Sequence, residues 1–291
     1  MKKFVTIMIA ILMICTMAVG FASCNTNNNS NGGKYNVGVQ SGTTGWSYMT
    51  GDPDWGFEGF SNVEVLPFDN AGLAVTDMLN GKVDFVVIDN APATALVAAN
   101  KGTKMIDIAL TTESYGIAVG KNDSELLASI NTILSEKKTE IAAIYDKYKD
   151  VSEDNVAEYT GETIASATYD ASKAQFVVAT NAAFAPYEFK IGDNYAGIDM
   201  EIAKLIADTL GQELVIMNMD FDAIVSSVGN NGIDAGIAGM TINENRKKVV
   251  NFTDPYETGA YQVIVCKEDC TLFDNCKTAE DLVAVIKELK K

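Results

Sequence analysis

The chain contains no histidine and a single arginine, Arg246, among its 291 residues. Without histidine it can form no imidazole zinc site, no Ser-His-Asp triad and no Cys-His dyad. Cationic residues are also few: 22 lysine and arginine residues stand against 39 aspartate and glutamate residues, for a net charge of −17. This charge argues against nucleic acid or an anionic membrane surface as a partner. An acidic chain without histidine is better suited to binding a small molecule than to acid–base chemistry near neutral pH.

The N-terminus has two lysines followed by an uncharged apolar run from Phe4 to Ser23. The run ends in Phe21-Ala22-Ser23-Cys24, which resembles a bacterial lipobox, although leucine is usual where Phe21 stands. A basic start, an apolar middle and small residues before a cleavage point are typical of a secretory signal. We therefore expect residues 1–23 to be a lipoprotein signal peptide, with Cys24 lipidated and the protein anchored outside the cytoplasm. The alternative is an uncleaved anchor, since about 20 apolar residues can span a bilayer.

The rest of the chain divides into two patterned blocks. Residues 24–34 are rich in asparagine and predict a flexible tether. Strand and helix patterns then alternate, stop in the acidic residues 150–173, which we interpret as a linker, and start again. This alternation predicts an α/β class with parallel sheets, and the two blocks predict two lobes. A single charged helix is expected over residues 124–149, and a strand over residues 105–110. A second helix is expected over residues 198–210, with Gly211 as its stop.

Three cysteines follow Cys24, namely Cys266, Cys270 and Cys276. Their odd number leaves at least one unpaired, and none stands in the C-x-x-C spacing of a metal or redox site. We interpret them as structural, and pairing of Cys270 with Cys276 stays open. No cofactor or metal motif is present, so we expect no cofactor.

Several motifs occur together. The first block contains Gly-Thr-Thr-Gly within residues 37–45 and a further motif at 80–92. The second block contains five motifs: Ala-Thr-Asn within residues 176–189, Gly-Ile-Asp within 197–203, Asp-Phe-Asp within 219–224, Thr-Ile-Asn-Glu-Asn-Arg within 238–248 and Phe-Thr-Asp-Pro-Tyr at 252–256. Together they resemble family 3 of the bacterial solute-binding proteins, the polar amino-acid receptors of ABC transporters. The resemblance implies a two-lobed, type II periplasmic-binding-protein-like fold with two hinge crossings. It also implies that the protein delivers a free L-amino acid to a transporter permease.

The order of the motifs differs from that family. There the Ala-Thr-Asn motif opens the mature chain, whereas here the Gly-Thr-Thr-Gly half comes first. This order indicates a circular permutation in which residues 150–173 join the original ends. The chain would then cross between lobes near residues 112–115 and 262–266. Residues 35–112 and 266–291 would form lobe 2, and residues 113–265 lobe 1. The alternative is a dimer that exchanges lobes between two chains.

Arg246 is the strongest candidate for a ligand contact. One guanidinium retained beside 21 lysines indicates a planar, two-bond task that an ammonium performs poorly, although a solvated helix position is the alternative. The resemblance places Arg246 on the ligand's α-carboxylate and the carbonyl of Gly239 on its ammonium. Thr241 belongs to the same implied site, but its spacing from Glu244 also fits a capping box.

On the other lobe the resemblance implies three more contacts. Asp89 would pair with the α-ammonium, although it could instead cap the helix that follows. Thr43 and Thr44 would bind the carboxylate where a strand passes into a helix.

Four residues would surround the ligand's side chain. The resemblance implies that Phe184 and Phe221 enclose it and that Asn181 and Gln40 face it. Relatives that bind lysine or arginine often have aspartate where Asn181 stands. We therefore expect a polar, neutral amino acid such as glutamine.

Two other functional classes compete with a binding protein. A dehydratase-like or hydrolytic enzyme on the same fold is disfavoured because histidine and a G-x-S-x-G elbow are missing, and the S-x-x-K at residues 135–138 is best explained as a solvated helix face. We therefore expect no catalytic residues. A ligand-sensing receptor domain would require a following transmembrane segment, which we do not expect.

Overall fold

The computed structural model describes residues 33–151, 159 and 161–291. The described residues divide into two units, Gly33 with Lys291 in one and residues 34–290 in the other. Within the first unit, the N–H of Lys291 donates to the C=O of Gly33 at 3.2 Å. The expected signal peptide, the lipidated Cys24 and most of the tether lie outside the described residues. All the helices and strands given below belong to the second unit.

The second unit alternates strands and helices. Its strands are β1 (Tyr35–Gln40), β2 (Val63–Phe68), β3 (Phe85–Asp89), β4 (Thr103–Ile106), β5 (Glu113–Tyr115), β6 (Ala118–Gly120), β7 (Gln175–Thr180), β8 (Ala183–Phe184), β9 (Glu188–Ile191), β10 (Asn194–Ala196), β11 (Glu213–Asn218), β12 (Ala235–Gly236), β13 (Val250–Phe252), β14 (Glu257–Ala260) and β15 (Gln262–Lys267). Its helices are α1 (Thr44–Thr50), α2 (Ala71–Leu79), α3 (Asn90–Ala99), α4 (Ser124–Glu136), α5 (Lys138–Tyr148), α6 (Ile198–Leu210), α7 (Phe221–Ser227), α8 (Glu244–Lys247) and α9 (Ala279–Glu288), and a 3₁₀ turn lies at Pro53–Trp55.

Two five-stranded sheets organise these elements. The first has the order β2-β1-β3-β15-β4 and the second the order β11-β7-β12-β6-β13. In each sheet the strands linked by crossover helices pair in parallel, whereas β15 in the first and β6 in the second run antiparallel to both of their neighbours. The expectation of parallel sheets is therefore wrong in part. Each antiparallel strand enters its sheet directly from the other lobe and not through a crossover helix, which reverses its direction.

The chain passes between the two sheets twice. The passages run through β5 and β14, which pair with each other in antiparallel fashion at Ala260–Glu113 and Glu257–Tyr115. The second passage thus lies a few residues before the position expected from the sequence. Two adjacent short strands are the kind of connection about which two lobes can rotate.

The last helix packs beside the first strand of the chain. Leu282 and Ile286 of α9 are fully buried in one apolar cluster with Val37 and Val39 of β1. The side chain of Asn62 also donates to the C=O of Ile286 at 2.6 Å. Thr278 and Asp281 form a capping box that fixes where α9 begins.

The expected long helix over residues 124–149 is wrong. Lys137, at φ −99° and ψ 19°, separates α4 from α5. Lys147 and Tyr148 at the end of α5 both donate to the carboxylate of Glu201 on α6. The chain bends at Lys137, and α5 packs against α6.

The expected linker is ordered over much of its described length. Ile164 exchanges two backbone hydrogen bonds with Tyr195 of β10, and Ala167 donates to Leu214 of β11 at 2.9 Å. Residues 161–173 therefore pack against β10 and against β11 of the second sheet.

Other expectations differ in smaller ways. The strand expected over residues 105–110 occupies Thr103–Ile106. Cys266, Cys270 and Cys276 are all free thiols. Of the helices in the described ranges, none combines the length and the apolar character needed to cross a bilayer.

Candidate functional site

A small cavity lies at the carboxyl ends of β1, β3 and β7, where ligands bind in open α/β sheets. The residues that line it include all of those predicted to contact the ligand, namely Gln40, Thr43, Thr44, Asp89, Asn181, Phe184, Phe221, Gly239, Thr241 and Arg246. Glu188 and Ala238 complete the lining. The structure therefore brings residues from both sheets, up to 206 positions apart in sequence, around one small volume.

Arg246 is buried at the centre of this site. Its guanidinium donates from one nitrogen to the C=O of Thr241 at 2.6 Å and from another to the C=O of Gly42 at 3.0 Å. The guanidinium carbon lies 5.2 Å from the centre of the Phe221 ring. The N-cap of α8 is Asn243, whose side chain accepts from the N–H of Arg246 at 2.7 Å. The capping box considered for Thr241 is therefore not formed.

Asp89 occupies the N-cap position of α3 but makes no capping hydrogen bond. Its two carboxylate oxygens instead accept from the Tyr115 hydroxyl and from Gln262 Nε2, the latter at 2.8 Å. Burial, reinforced by the charge of Glu113, raises the pKa of Asp89 to about 7. The Asp89 carboxylate thus bonds to side chains beside the cavity, and the prediction that it caps α3 is wrong.

Glu113 is a site residue that the sequence reasoning missed. It lies on the crossing strand β5 and is 3% exposed. The same Gln262 amide nitrogen that binds Asp89 donates to Glu113 at 2.9 Å, and the Thr241 hydroxyl donates to it at 2.6 Å. The available signal was its place in Thr-Thr-Glu-Ser-Tyr, at the expected crossing between lobes.

The electrostatics of the site are balanced around one cation. Burial lowers the pKa of Arg246 to about 10, while the charges of Glu113 and Asp89 oppose that shift. Arg246 therefore keeps its charge at neutral pH, with two carboxyls close by to stabilise it.

The two threonines of the first lobe have different roles. Thr43 is the N-cap of α1, accepting from the N–H of Trp46 at 3.3 Å and donating to the C=O of Gln40 at 2.8 Å. Thr44 is 2% exposed and donates to the hydroxyl of Thr241 at 3.1 Å. Thr44 thus connects α1 to the segment that leads to Arg246.

The opposite end of the cavity is formed by amides and aromatic rings. Gln40 donates to the side-chain oxygen of Asn181 at 3.0 Å, and Asn181 in turn donates to the C=O of Met219 at 2.8 Å. Gly239 has φ 52°, and a Cβ there would lie 2.8 Å from a ring carbon of Phe184. Glycine at this position therefore lets the backbone approach the aromatic ring closely.

Glu188 is the second missed residue. It lies on β9, lines the cavity and is 1% exposed. Burial, together with the charges of Asp199 and Asp89, raises its pKa well above the ordinary value. Its sequence signal was an acidic residue between aromatic neighbours in Tyr-Glu-Phe.

A loop of the first lobe reaches the helix that contains Arg246. Both carboxylate oxygens of Asp52 accept from Asn245 Nδ2, at 3.2 and 3.0 Å. Lys248 forms an ion pair with Asp54 in the same loop. Together with the Gln40–Asn181 and Thr44–Thr241 hydrogen bonds, these contacts hold the two lobes together around the cavity.

The chain is similar to proteins of known function over part of its length. Arginine-binding extracellular protein ArtP of Bacillus subtilis (strain 168) is 37% identical over 100 residues, which are 34% of this chain and 39% of that protein. Cyclohexadienyl dehydratase of Pseudomonas aeruginosa is 27% identical over 94 residues, 32% of this chain and 35% of the enzyme. The arginine-bound form of domain 1 from TmArgBP is 37% identical over 42% of this chain and 100% of that domain, with a TM-score of 0.29.

The similarity to these two curated relatives spans two fifths of their length or less. Residues 176–291, which contain β7 to α9 and include Arg246, match the family described as bacterial extracellular solute-binding proteins, family 3. Family membership is thus shown for residues 176–291, about two fifths of the chain.

Proposed function

We propose that this protein is the extracytoplasmic binding protein of an amino-acid ABC importer and closes its two lobes around a free L-α-amino acid. One observation supports this most directly: a buried guanidinium and a buried carboxyl, Arg246 and Asp89, line the same cavity. An amino-acid zwitterion presents the opposite charges, a carboxylate and an ammonium, on a single carbon atom. Each end of the zwitterion would thus meet its complement inside a site shielded from water.

The carboxylate of the ligand would bind Arg246. A guanidinium has five N–H donors, and hydrogen bonds to Thr241 and Gly42 leave donors for a carboxylate. Those two carbonyls fix the plane of the guanidinium before a ligand arrives, which reduces the entropy lost on binding. Asp89, already positioned by Tyr115 and Gln262, would accept from the α-ammonium.

Two kinds of amino acid are candidates for the ligand, a polar neutral one and arginine. The neutral Asn181 favours a polar side chain such as that of glutamine. ArtP and the TmArgBP domain are, by name, arginine-binding. Catalysis forms no part of the proposal, although the similarity to a dehydratase makes turnover worth measuring.

The membrane location follows from the same proposal. Family membership fits export, and Cys24 would anchor the protein by its lipid, near the permease that takes the ligand. Replacing Cys24 by serine should release the protein into the soluble fraction of the producing cells.

We further propose that the chain is circularly permuted relative to its family. The packing of α9 against β1 supports this, since the end of the family-matched segment lies beside the first strand of the chain. The ordered residues 161–173 would then join the original ends along β10 and β11, and none of them lines the cavity.

Calorimetry on the purified mature protein with each of the twenty amino acids tests the function. Arg246→Lys should lower affinity for the best ligand by about 2–4 kcal/mol, because an ammonium cannot make the paired hydrogen bonds. Lys247→Arg is the matched control, since Lys247 is exposed on the same short helix and its ammonium pairs with Glu244. Retained affinity in Arg246→Lys, or no binding of any amino acid, would contradict the proposal. Product analysis of the same mixtures should show every amino acid unchanged.

A further inference from the structure

Two of the three free thiols lie on one face of the first sheet. Cys266 of β15 has no exposed surface, and it belongs with Ile264 to the apolar cluster that joins β1 to α9. Val263 and Val265, which alternate with them along the strand, belong to the cluster on the other face of the sheet. Cys270 is partly buried and packs against the same cluster as Cys266. The two cysteines therefore share the side of β15 that α9 covers.

A tight turn folds the chain back at the end of β15. The N–H of Cys270 donates to the C=O of Lys267 at 3.0 Å, which closes a four-residue turn. The N–H of Glu268, inside this turn, donates to the C=O of Gly102 at 2.8 Å. Because two backbone hydrogen bonds hold the turn, the position of Cys270 relative to β15 is fixed.

The thiols of Cys266 and Cys270 are hydrogen-bonded to each other. Burial, together with the charge of Cys270 and this hydrogen bond, raises the pKa of Cys266 to about 12. The third thiol has a different neighbour: burial and the charge of Asp281 on α9 raise the pKa of Cys276, and neither of the other two described thiols contributes. The structure thus brings Cys266 together with Cys270, and not Cys270 with Cys276.

We propose that Cys266 and Cys270 form a disulfide in the mature protein and that this bond stabilises the connection from β15 to α9. The proposal rests on the proposed extracytoplasmic location, since thiols are oxidised outside the cytoplasm and kept reduced inside it. The oxidant is a second disulfide, that of a thiol–disulfide oxidoreductase or of a small thiol. The bond would close a ring of five residues, 266–270, and leave Cys276 reduced.

The unequal exposure of the two thiols sets the order of the steps. The thiolate of Cys270, which is partly exposed, attacks one sulfur of the oxidant; a mixed disulfide forms and the other sulfur leaves as a thiolate. Cys266 then loses its proton and attacks the Cys270 sulfur, and the remaining half of the oxidant leaves as a second thiolate. The two protons lost by the cysteines protonate the two leaving thiolates, so one disulfide forms as another is reduced. Lys104, opposite Cys266 on β4, opposes the pKa shift caused by burial and so favours the second attack.

Digestion with a lysine-specific protease identifies the pairing, because Lys267 lies between the two cysteines. The mature chain with Cys24→Ser is first reduced, then freed of reductant and incubated with oxidised glutathione. It is denatured, alkylated and digested without reductant. Residues 249–267 then carry one cysteine and residues 268–277 carry two. We expect these two peptides to be joined by a disulfide in most of the protein, with Cys276 outside the bond, and to separate when dithiothreitol is added.

Cys276→Ser is the matched control, since it removes the thiol that takes no part in the proposed bond and should leave the joined peptides unchanged. Cys270→Ser should abolish them. A disulfide within residues 268–277, a bond from Cys266 to Cys276, or peptides that stay separate in the wild type would overturn the proposal. If Cys270→Ser does not fold, the maps of the wild type and of Cys276→Ser decide.

The stabilising role has a separate readout. The oxidised protein should melt a few degrees above the reduced protein, because the bond restricts the unfolded chain. Cys276→Ser should keep this difference and Cys270→Ser should lose it; equal melting temperatures in the wild type would refute the role. None of the three cysteines lines the cavity, so these results do not depend on whether an amino acid binds. Failure of every amino acid to bind would reject the proposed function alone.

Discussion

The contact between Asp52 and Asn245 should control how long the lobes stay closed. Asn245 is adjacent to Arg246, and its amide nitrogen reaches both oxygens of Asp52 across the cleft. Asn245→Ala removes this contact while keeping a residue that favours helix. Asp52 itself is the poorer target, because it also accepts from the N–H of Asp54 and caps the 3₁₀ turn.

The size of the effect follows from the environment of the pair. A hydrogen bond to a charged group contributes about 1.5–3 kcal/mol, and partial exposure of both residues reduces this to about 1–2 kcal/mol. Because the bond joins the two lobes, it stabilises only the closed state. Asn245→Ala should therefore weaken ligand binding by about 5- to 30-fold.

Lys248→Ala provides the matched comparison. Lys248 and Asp54 also pair across the same cleft, but their side chains are 62% and 57% exposed. An exposed ion pair contributes about 0–1 kcal/mol and is screened by salt. Lys248→Ala should thus change affinity by less than about fivefold, and less still at high salt.

Stopped-flow fluorescence measures the difference, because the loop contains Trp55, one of two tryptophans in the chain. Asn245→Ala should raise the rate of ligand dissociation and leave the association rate nearly unchanged. The reasoning fails if Asn245→Ala and Lys248→Ala have equal effects, or if Asn245→Ala leaves dissociation at the wild-type rate.

Two further predictions concern the ammonium site and the chain order. Because the pKa of Asp89 is raised to about 7, its carboxyl becomes protonated as pH falls below 7, so affinity should decline between pH 7.5 and 5.5. Asp89→Asn should bind at least tenfold more weakly at pH 7.5 without a fall in melting temperature; a lower melting temperature with intact affinity would mean that Asp89 is structural. Cutting the chain near residue 160 and joining residues 291 and 34 through a short Gly/Ser bridge should give a monomer that binds the same ligand. An insoluble or inactive rearranged chain, judged by size-exclusion chromatography and calorimetry, would refute the permutation.

The sequence alone was sufficient to predict the end of a helix where a single residue determines it. The helix expected over residues 198–210 forms with those bounds, because its apolar spacing is regular and Gly211 adopts the left-handed conformation that ends it. The bend at Lys137 gave no such signal. Buried positions continue at helical spacing across it, from Ile133 to Ile141, and neither glycine nor proline marks the break.

The candidate site shows a similar division. Short motifs were enough to predict Arg246 and Asp89 as site residues, because both residues and their sequence neighbours match the motifs of the family. Glu113 and Glu188 were missed because an acidic letter in a sequence does not indicate burial. Their importance depends on neighbours such as Thr241, 128 positions from Glu113 along the chain, which only the packing of two lobes brings into contact.

One of the two strands that connect the lobes carries a buried carboxylate. Glu113 lies on the crossing strand β5, yet it accepts hydrogen bonds from Thr241 on one side and from Gln262 of β15 on the other. Thr241 donates to Oε2 and Gln262 donates to Oε1, so this carboxylate bonds to both lobes at once, and a rotation of the lobes would break at least one of the bonds. The charge of Glu113 also contributes to the raised pKa of Asp89, so the same side chain connects the crossing strands to the electrostatics of the cavity. Substitution of Glu113 would therefore change both how the lobes close and the pKa of Asp89, without any change in the residues that line the cavity.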